Sequence, residues 1–255
     1  MKRPIPQGFL VAVEGIDGAG KSSVATILAQ WCGERGLACT MSKEPTGLKW
    51  GTELRMSAKA GRLPIARELE LFELDRRDHV ARCIAPSLAE GNIVILDRYY
   101  WSNAAYQGSR GMDYNAIIAA NEAFAPKPDL VLLLDLEVDA GLERIKARGD
   151  RPNNFESKSS LMLARNIFLQ LSECSPNARV IDSSKHFKDT AADALAAFQK
   201  AALEKISKAG PLHPEMVNLV LAFFGGERID EEYPEGTLEM TELLAEAKRA
   251  SQFVR

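Results

Sequence analysis

The chain has little that would tie it to a metal cluster, a disulfide scaffold or a membrane. Its four cysteines, Cys32, Cys39, Cys83 and Cys174, form no CxxC pair, and no histidine stands near them at metal-ligand spacing. They read as free thiols of a reducing compartment. No run approaches the ~20 consecutive apolar residues needed to cross a bilayer. The basic start, Met1-Lys2-Arg3, leads to an apolar run over residues 9–13 that is too short for a signal-peptide core. The cytoplasm is the expected location. Charge of one sign is missing too. The formal net charge is −3, which gives no general attraction to nucleic acid or an anionic membrane, so any anion must be held by local groups. Internal repeats and low-complexity tracts are absent.

What remains is the composition of a globular chain, with 46% apolar and 26% charged residues. Short apolar runs at 9–13, 39–41, 93–96, 130–134 and 180–181 alternate with stretches of helical periodicity, notably 22–35, 68–89 and 139–148. This alternation predicts an α/β fold: a parallel sheet of about five strands with helices on both faces. Near Gly210-Pro211 the character changes to an apolar stretch (216–224), an acidic, turn-rich stretch and a second helix-like stretch (238–253). The expected organisation is one domain over 1–210 and a helical C-terminal extension over 211–255.

In a parallel sheet, ligands collect beyond the carboxyl ends of the strands. After the first strand comes Gly15-Ile16-Asp17-Gly18-Ala19-Gly20-Lys21-Ser22, followed by Ser23. It matches GxxxxGK[ST] between a strand and a helix, the context of a P-loop. Glycines let backbone N–H groups turn onto phosphate oxygens, and the following helix adds a favourable dipole. Lys21 is expected to reach the β- and γ-phosphates of ATP, and the Ser22 hydroxyl to bind Mg²⁺. A GTPase switch is disfavoured. The sequence has no NKxD, and its one DxxG, Asp17-Gly18-Ala19-Gly20, lies inside the loop itself.

Other candidates follow the second and third strands. Asp97-Arg98-Tyr99, Ser102 and Ala105-Tyr106-Gln107-Gly108 open at the same sheet edge. There an arginine can grip an anion and an aspartate can hold a metal-bound water. Glu44-Pro45-Thr46-Gly47 with Arg55 follows the second strand. Phe72 and Arg76, four apart, share a helix face, where a ring and a cation suit a pyrimidine base.

The ordered set resembles the thymidylate kinase family. That family's pattern is a P-loop, EPGGT…R, LFxxxR, DRYxxSxxAYQG, a PDLxxxLD strand and an arginine-bearing lid. Here it is met by Glu44-Pro45 with Arg55, Leu71-Phe72 with Arg76, Asp97-Arg98-Tyr99 through Gly108, and Pro128-Asp129-Leu130 with Leu134-Asp135. The resemblance spans residues 8–205 and implies transfer of the γ-phosphoryl group of ATP to dTMP by a Mg²⁺-dependent homodimer. It implies that Asp17 holds the sugar 3′-hydroxyl and that Arg55 and Arg98 grip the acceptor phosphate. Phe72 stacks on thymine, Arg76 donates to a base carbonyl, and Tyr106 and Gln107 line the deoxyribose and base. Asp97 helps organise Mg²⁺ and the reacting phosphates. Residues 142–157 correspond to the lid, and since no basic residue precedes Lys21 in the P-loop, Arg148 and Arg151 are the candidates for the transferring phosphoryl group, Arg144 less so. Two features depart from the pattern: EPGGT is here Glu44-Pro45-Thr46-Gly47-Leu48, and the C-terminal extension has no counterpart. A kinase for another nucleoside monophosphate or a deoxynucleoside, and a non-catalytic nucleotide-binding protein, are the alternative readings.

Overall fold

Five strands pair in parallel in the order β2-β3-β1-β4-β5: β1 (Phe9–Glu14), β2 (Cys39–Lys43), β3 (Ile93–Asp97), β4 (Leu130–Asp135) and β5 (Ala178–Asp182). They come from a computed structural model that describes residues 4–149, 157–208 and 214–223. β1, β3 and β4 are apolar runs that each end in an acidic residue, Glu14, Asp97 and Asp135, and are buried throughout apart from the half-buried Asp135, because helices cover both sheet faces. The edge strands β2 and β5 are only partly buried. Val13 pairs with Asp97, and Asp97 with Lys43, so the residues that follow β1, β2 and β3 emerge side by side. The chain reverses direction across the sheet at β1, and the crevice beyond that point is where an open α/β sheet binds ligands.

Helix α1 (Lys21–Glu34) buries Val24, Leu28 and Trp31 along one stripe. α9 (Phe187–Lys208) packs beside it over the same sheet face. The opposing layer includes α3 (Ile65–His79), α5 (Tyr100–Gly108) and α8 (Lys158–Glu173), supported by α2 (Lys49–Ala60), α4 (Ala85–Ala89), α6 (Tyr114–Glu122) and α7 (Val138–Ala147).

The helix expected over 68–89 begins earlier, at Ile65, and is interrupted by a π-helical turn over Val80–Ile84. Pro86 lies in the first turn of α4 and has no N–H for the carbonyl four residues back. The wider turn before it absorbs that loss. The helix expected over 139–148 runs from Val138 to Ala147.

Of the C-terminal extension, α10 (Pro214–Phe223) is described. Val217, Leu219, Val220 and Phe223 are buried in the main core. The Phe223 ring lies 5.4 Å from Trp31 and 6.1 Å from Phe198, and its carbonyl accepts a 3.2 Å bond from Gln199 Nε2. This part of the extension is therefore covered by the chain's own α1 and α9. The helix-like stretch expected over 238–253 lies outside the described residues.

Candidate active site

The turn between β1 and α1 is built on glycine. Gly15, Gly18 and Gly20 have φ of 138°, 84° and 93°, values L side chains rarely adopt. At Gly18 a side chain is also barred by contact, since a Cβ there would strike the backbone of Gly141 in α7. Gly20 caps α1, so the helix N-terminus points into the cradle. Lys21 is buried, and its ammonium donates to the Ile16 carbonyl at 2.7 Å. Burial, and then the like charge of Arg98, push its pKa down to about 8 against the pull of Asp17, Asp97 and Glu14. Ser23 is exposed on the first turn of α1.

Ser22 Oγ donates to Asp97 Oδ2 at 2.5 Å. Asp97 Oδ1 is buried and has no hydrogen-bond partner among the described residues. A hydroxyl and an orphaned carboxylate oxygen beside a phosphate cradle fit a hard cation such as Mg²⁺, which keeps several waters and takes few protein ligands. Among the described residues no group of three His, Cys, Asp or Glu side chains could hold a metal by itself. Such an ion would rely on nucleotide phosphates for much of its coordination.

The cradle continues into a cavity through Asp17, Arg98 and Tyr106. Arg98 donates to Asp17 Oδ1, and the Tyr106 hydroxyl donates to Asp17 Oδ2 at 2.8 Å. Burial would raise the Asp17 carboxyl, but the charges of Arg98 and Lys21 overcome it and hold the pKa below its ordinary value. Arg98 has φ 72°, the left-handed region, which costs a non-glycine residue on the order of 1 kcal/mol. That conformation turns its guanidinium from the end of β3 toward the cradle and the cavity.

The far wall is a buried polar network. Glu44 Oε2 accepts from Arg76 Nε at 2.9 Å and Nη2 at 2.6 Å. Glu44 Oε1 lies 3.0 Å from His79 Nδ1, and His79 Nε2 lies 2.8 Å from Ser42 Oγ. Arg76 Nη1 donates to Asn121 Oδ1 at 2.5 Å and, more weakly, to Asn103 Oδ1 at 3.4 Å. Phe72, one turn before Arg76, lines the same cavity. Asn103 Nδ2 is buried without a partner among the described residues, an unspent donor on a cavity-lining side chain. Arg55 donates to the carbonyls of Pro45 at 2.8 Å and Thr46 at 2.5 Å. The Thr46 variant of the loop is held by Asp75, which accepts from Thr46 N at 2.7 Å, Thr46 Oγ1 at 2.6 Å and Gly51 N at 3.0 Å.

Most of the expected site residues thus converge: Asp17, Glu44, Arg55, Phe72, Arg76, Arg98, Ser102 and Tyr106 all line one cavity. Gln107 does not. It is fully buried and donates to Glu68 Oε2 at 3.0 Å, a carboxylate that Arg62 and Arg110 also hold, so it ties α5 to α3 instead of lining the base. Arg144 braces the cradle from outside by donating to the Ser183 carbonyl at 2.8 Å, while Ser183 Oγ donates to the Ala19 carbonyl at 2.6 Å. Arg148 is exposed at the end of α7, and Arg151 lies outside the described residues. Glu14, Asp75, His79, Asn103 and Asn121 also make buried polar contacts around this site and were not expected from the sequence. A charged residue ending the apolar run of β1 was the available signal for Glu14. Asn103, directly after Ser102, was within reach too.

A phosphate cradle at the reversal point of a parallel sheet, sharing Asp17 and Arg98 with an arginine-lined cavity, defines a P-loop phosphotransferase. The family model described as thymidylate kinase matches residues 13–194, and the chain belongs to the thymidylate kinase family. A thymidylate kinase of Xanthomonas campestris pv. campestris is 45% identical over 223 residues, covering 88% of this chain and 96% of that protein. One from Xylella fastidiosa is 47% identical over 191 residues, covering 75% and 87%. The crystal structure of thymidylate kinase from Ehrlichia chaffeensis superposes with a TM-score of 0.60 at 26% identity, covering 76% of this chain and 99% of that one.

Proposed function

We propose that this protein transfers the γ-phosphoryl group of ATP to dTMP, giving ADP and dTDP, in a Mg²⁺-dependent reaction. The observation that carries the reading is the junction at Asp17 and Arg98, where the triphosphate cradle meets a cavity walled by Phe72, Arg76 and Asn103. Lys21 and the loop N–H groups bind the β- and γ-phosphates. Ser22 and Asp97 would hold the metal, which supplies charge neutralisation at those phosphates. Arg98, with Arg55, grips the acceptor phosphate so that its oxygen attacks the γ-phosphorus in line. Asp17 accepts from the 3′-hydroxyl, and Tyr106 closes the sugar side. Phe72 stacks on the base while Arg76, fixed by Glu44, and Asn103 address its polar edge. The enzyme's contribution is positioning and charge compensation, which dominate catalysis of phosphoryl transfer. Arg148 and Arg151, in a lid of about residues 142–157 within a catalytic domain of residues 1–210, are assigned to the transferring phosphoryl group. Residues 211–255 are a structural extension.

The reading extends to a cytoplasmic homodimer, supported by family resemblance and, for the compartment, by four free thiols. The direct test is chromatography of ATP and dTMP incubated with the protein and Mg²⁺. Equimolar dTDP and ADP are expected, lost with a chelator and reduced at least ~100-fold in Lys21→Ala, which removes a cation acting on developing charge. Full turnover in a folded Lys21→Ala protein would refute the assignment of the cradle.

A further inference from the structure

Glu14 is the last residue of β1. It is completely buried, and none of the roles above uses it. Its carboxylate reaches across to the loop that carries Arg98. Oε1 accepts from Tyr99 N–H at 2.9 Å and Ser102 N–H at 3.2 Å. Oε2 accepts from Ser102 Oγ at 2.5 Å. Tyr99 is the N-cap of α5 and offers no side-chain cap, so this carboxylate from another strand satisfies free N–H groups of the first turn.

The Ser102 hydroxyl has a single proton. Because that proton goes to Glu14, the oxygen is left as an acceptor, and Arg98 Nη1 donates to it at 3.2 Å. A chain of bonds therefore runs from Glu14 through Ser102 to Arg98. At its far end Arg98 sits at φ 72°, a conformation that persists only when its surroundings over-determine it. We propose that Glu14 is a positioning residue for the acceptor phosphate: it fixes the Tyr99–Ser102 turn and, through the Ser102 hydroxyl, aims the Arg98 guanidinium. This rests on the assignment of Arg98 to the acceptor.

A structural role alone would choose a different residue. Burial pushes the Glu14 pKa up to about 7 against the Ser102 hydroxyl, the charge of Arg98 and the two N–H donors. An ionised carboxylate at this position works against the fold at neutral pH, whereas a glutamine of the same shape keeps the two N–H bonds without a buried charge. What glutamine cannot do is accept the Ser102 proton on its second atom. Its amide donates there, so the Ser102 proton must turn to another direction, one of which faces Arg98, and the bond that aims the guanidinium is weakened.

The test is steady-state kinetics of full-length Glu14→Gln, Ser102→Ala, the double variant and Arg98→Ala at pH 8, with melting temperatures of each. Glu14→Gln should raise the KM for dTMP about tenfold, the loss expected of a charge-assisted contact, with the KM for ATP unchanged and no fall in melting temperature. The double variant should do no worse than the more impaired single variant, because both break one chain. Equal increases in both KM values with a lower melting temperature would overturn the proposal in favour of a packing role, and additive effects would overturn the relay through Ser102. If Glu14→Gln leaves the dTMP KM unchanged while Arg98→Ala raises it, the inference fails and the acceptor assignment stands. If Arg98→Ala also leaves it unchanged, the acceptor assignment itself fails.

Discussion

Ser22, in the first turn of α1, and Asp97, the last residue of β3, meet in a 2.5 Å hydrogen bond. The bond ties the glycine-rich cradle to the loop that carries Arg98, so the two halves of the proposed site share one mechanical joint. It also leaves Asp97 Oδ1 buried and unpartnered among the described residues, the atom proposed above to serve the metal.

Replacing that acceptor should therefore affect the metal before the nucleotide. Asp97→Asn is expected to raise the Mg²⁺ concentration needed for half-maximal activity and to lower kcat by about 100-fold, the scale of one lost transition-state contact. Magnesium titration at saturating ATP checks it. An unchanged half-maximal concentration would place the ion elsewhere.

Arg76 and Glu44 are both buried, and each compensates the other's charge. Removing one leaves an uncompensated buried ion, at a cost of about 3–5 kcal/mol. Arg76→Ala should accordingly lower the denaturant midpoint, and adding Glu44→Gln should recover part of the stability. Activity on dTMP should stay low in both variants. Equal stability of the single and double variants would mean that the pair carries no electrostatic coupling.

Glu14 gives the fold a pH dependence with a definite sign. Its pKa rises from 4.5 to about 7 because of burial, so between these values the native state holds a proton that the unfolded chain has lost. The resulting stability is fully present below pH 4.5 and is lost as pH rises through 7. The difference in unfolding free energy between the natural protein and Glu14→Gln, which cannot titrate there, should fall by on the order of 3 kcal/mol across that window. Denaturant unfolding at a series of pH values measures it, and a flat difference would contradict the assigned shift.

Phe223 anchors α10 against Trp31 and Phe198 at 5.4 and 6.1 Å. Phe223→Ala should cost about 3–5 kcal/mol in stability through the cavity it leaves. Protein that remains folded should keep its KM for both nucleotides, since this cluster sits on the α1 and α9 face, away from the cavity. A changed dTMP KM with intact stability would give the extension a part in the site.

The parallel sheet was legible because its central strands are continuous apolar runs, and the cradle because its glycine spacing has one structural meaning. Asp97-Arg98 was legible because it ends such a run. What escaped the sequence lies in partnerships across long separations. Arg76 meets Glu44 from 32 residues away and Asn121 from 45, and Glu14 meets Ser102 across 88. Periodicity within one element says nothing about which carboxylate an arginine will find in another. Gln107 illustrates the same limit. The family resemblance implied that it lines the cavity with Tyr106, but consecutive residues on a helix point in different directions, and Gln107 turns inward to Glu68. The π-helical turn was hidden for a different reason, since the apolar rhythm continues across it while Pro86 disturbs only the hydrogen bonds.

Selection of dTMP by this cavity is measured by kcat/KM for dTMP, dUMP, dCMP, dAMP and dGMP at fixed ATP and Mg²⁺. The value should be highest for dTMP. For dUMP it should be lower by about 10-fold, the value of one buried methyl in an apolar contact, and for dCMP and both purines lower still, because the donors Arg76 and Asn103 would face a mismatched edge or a base too large for the space. A purine or dCMP as the preferred acceptor, or no transfer to any of the five, would contradict it.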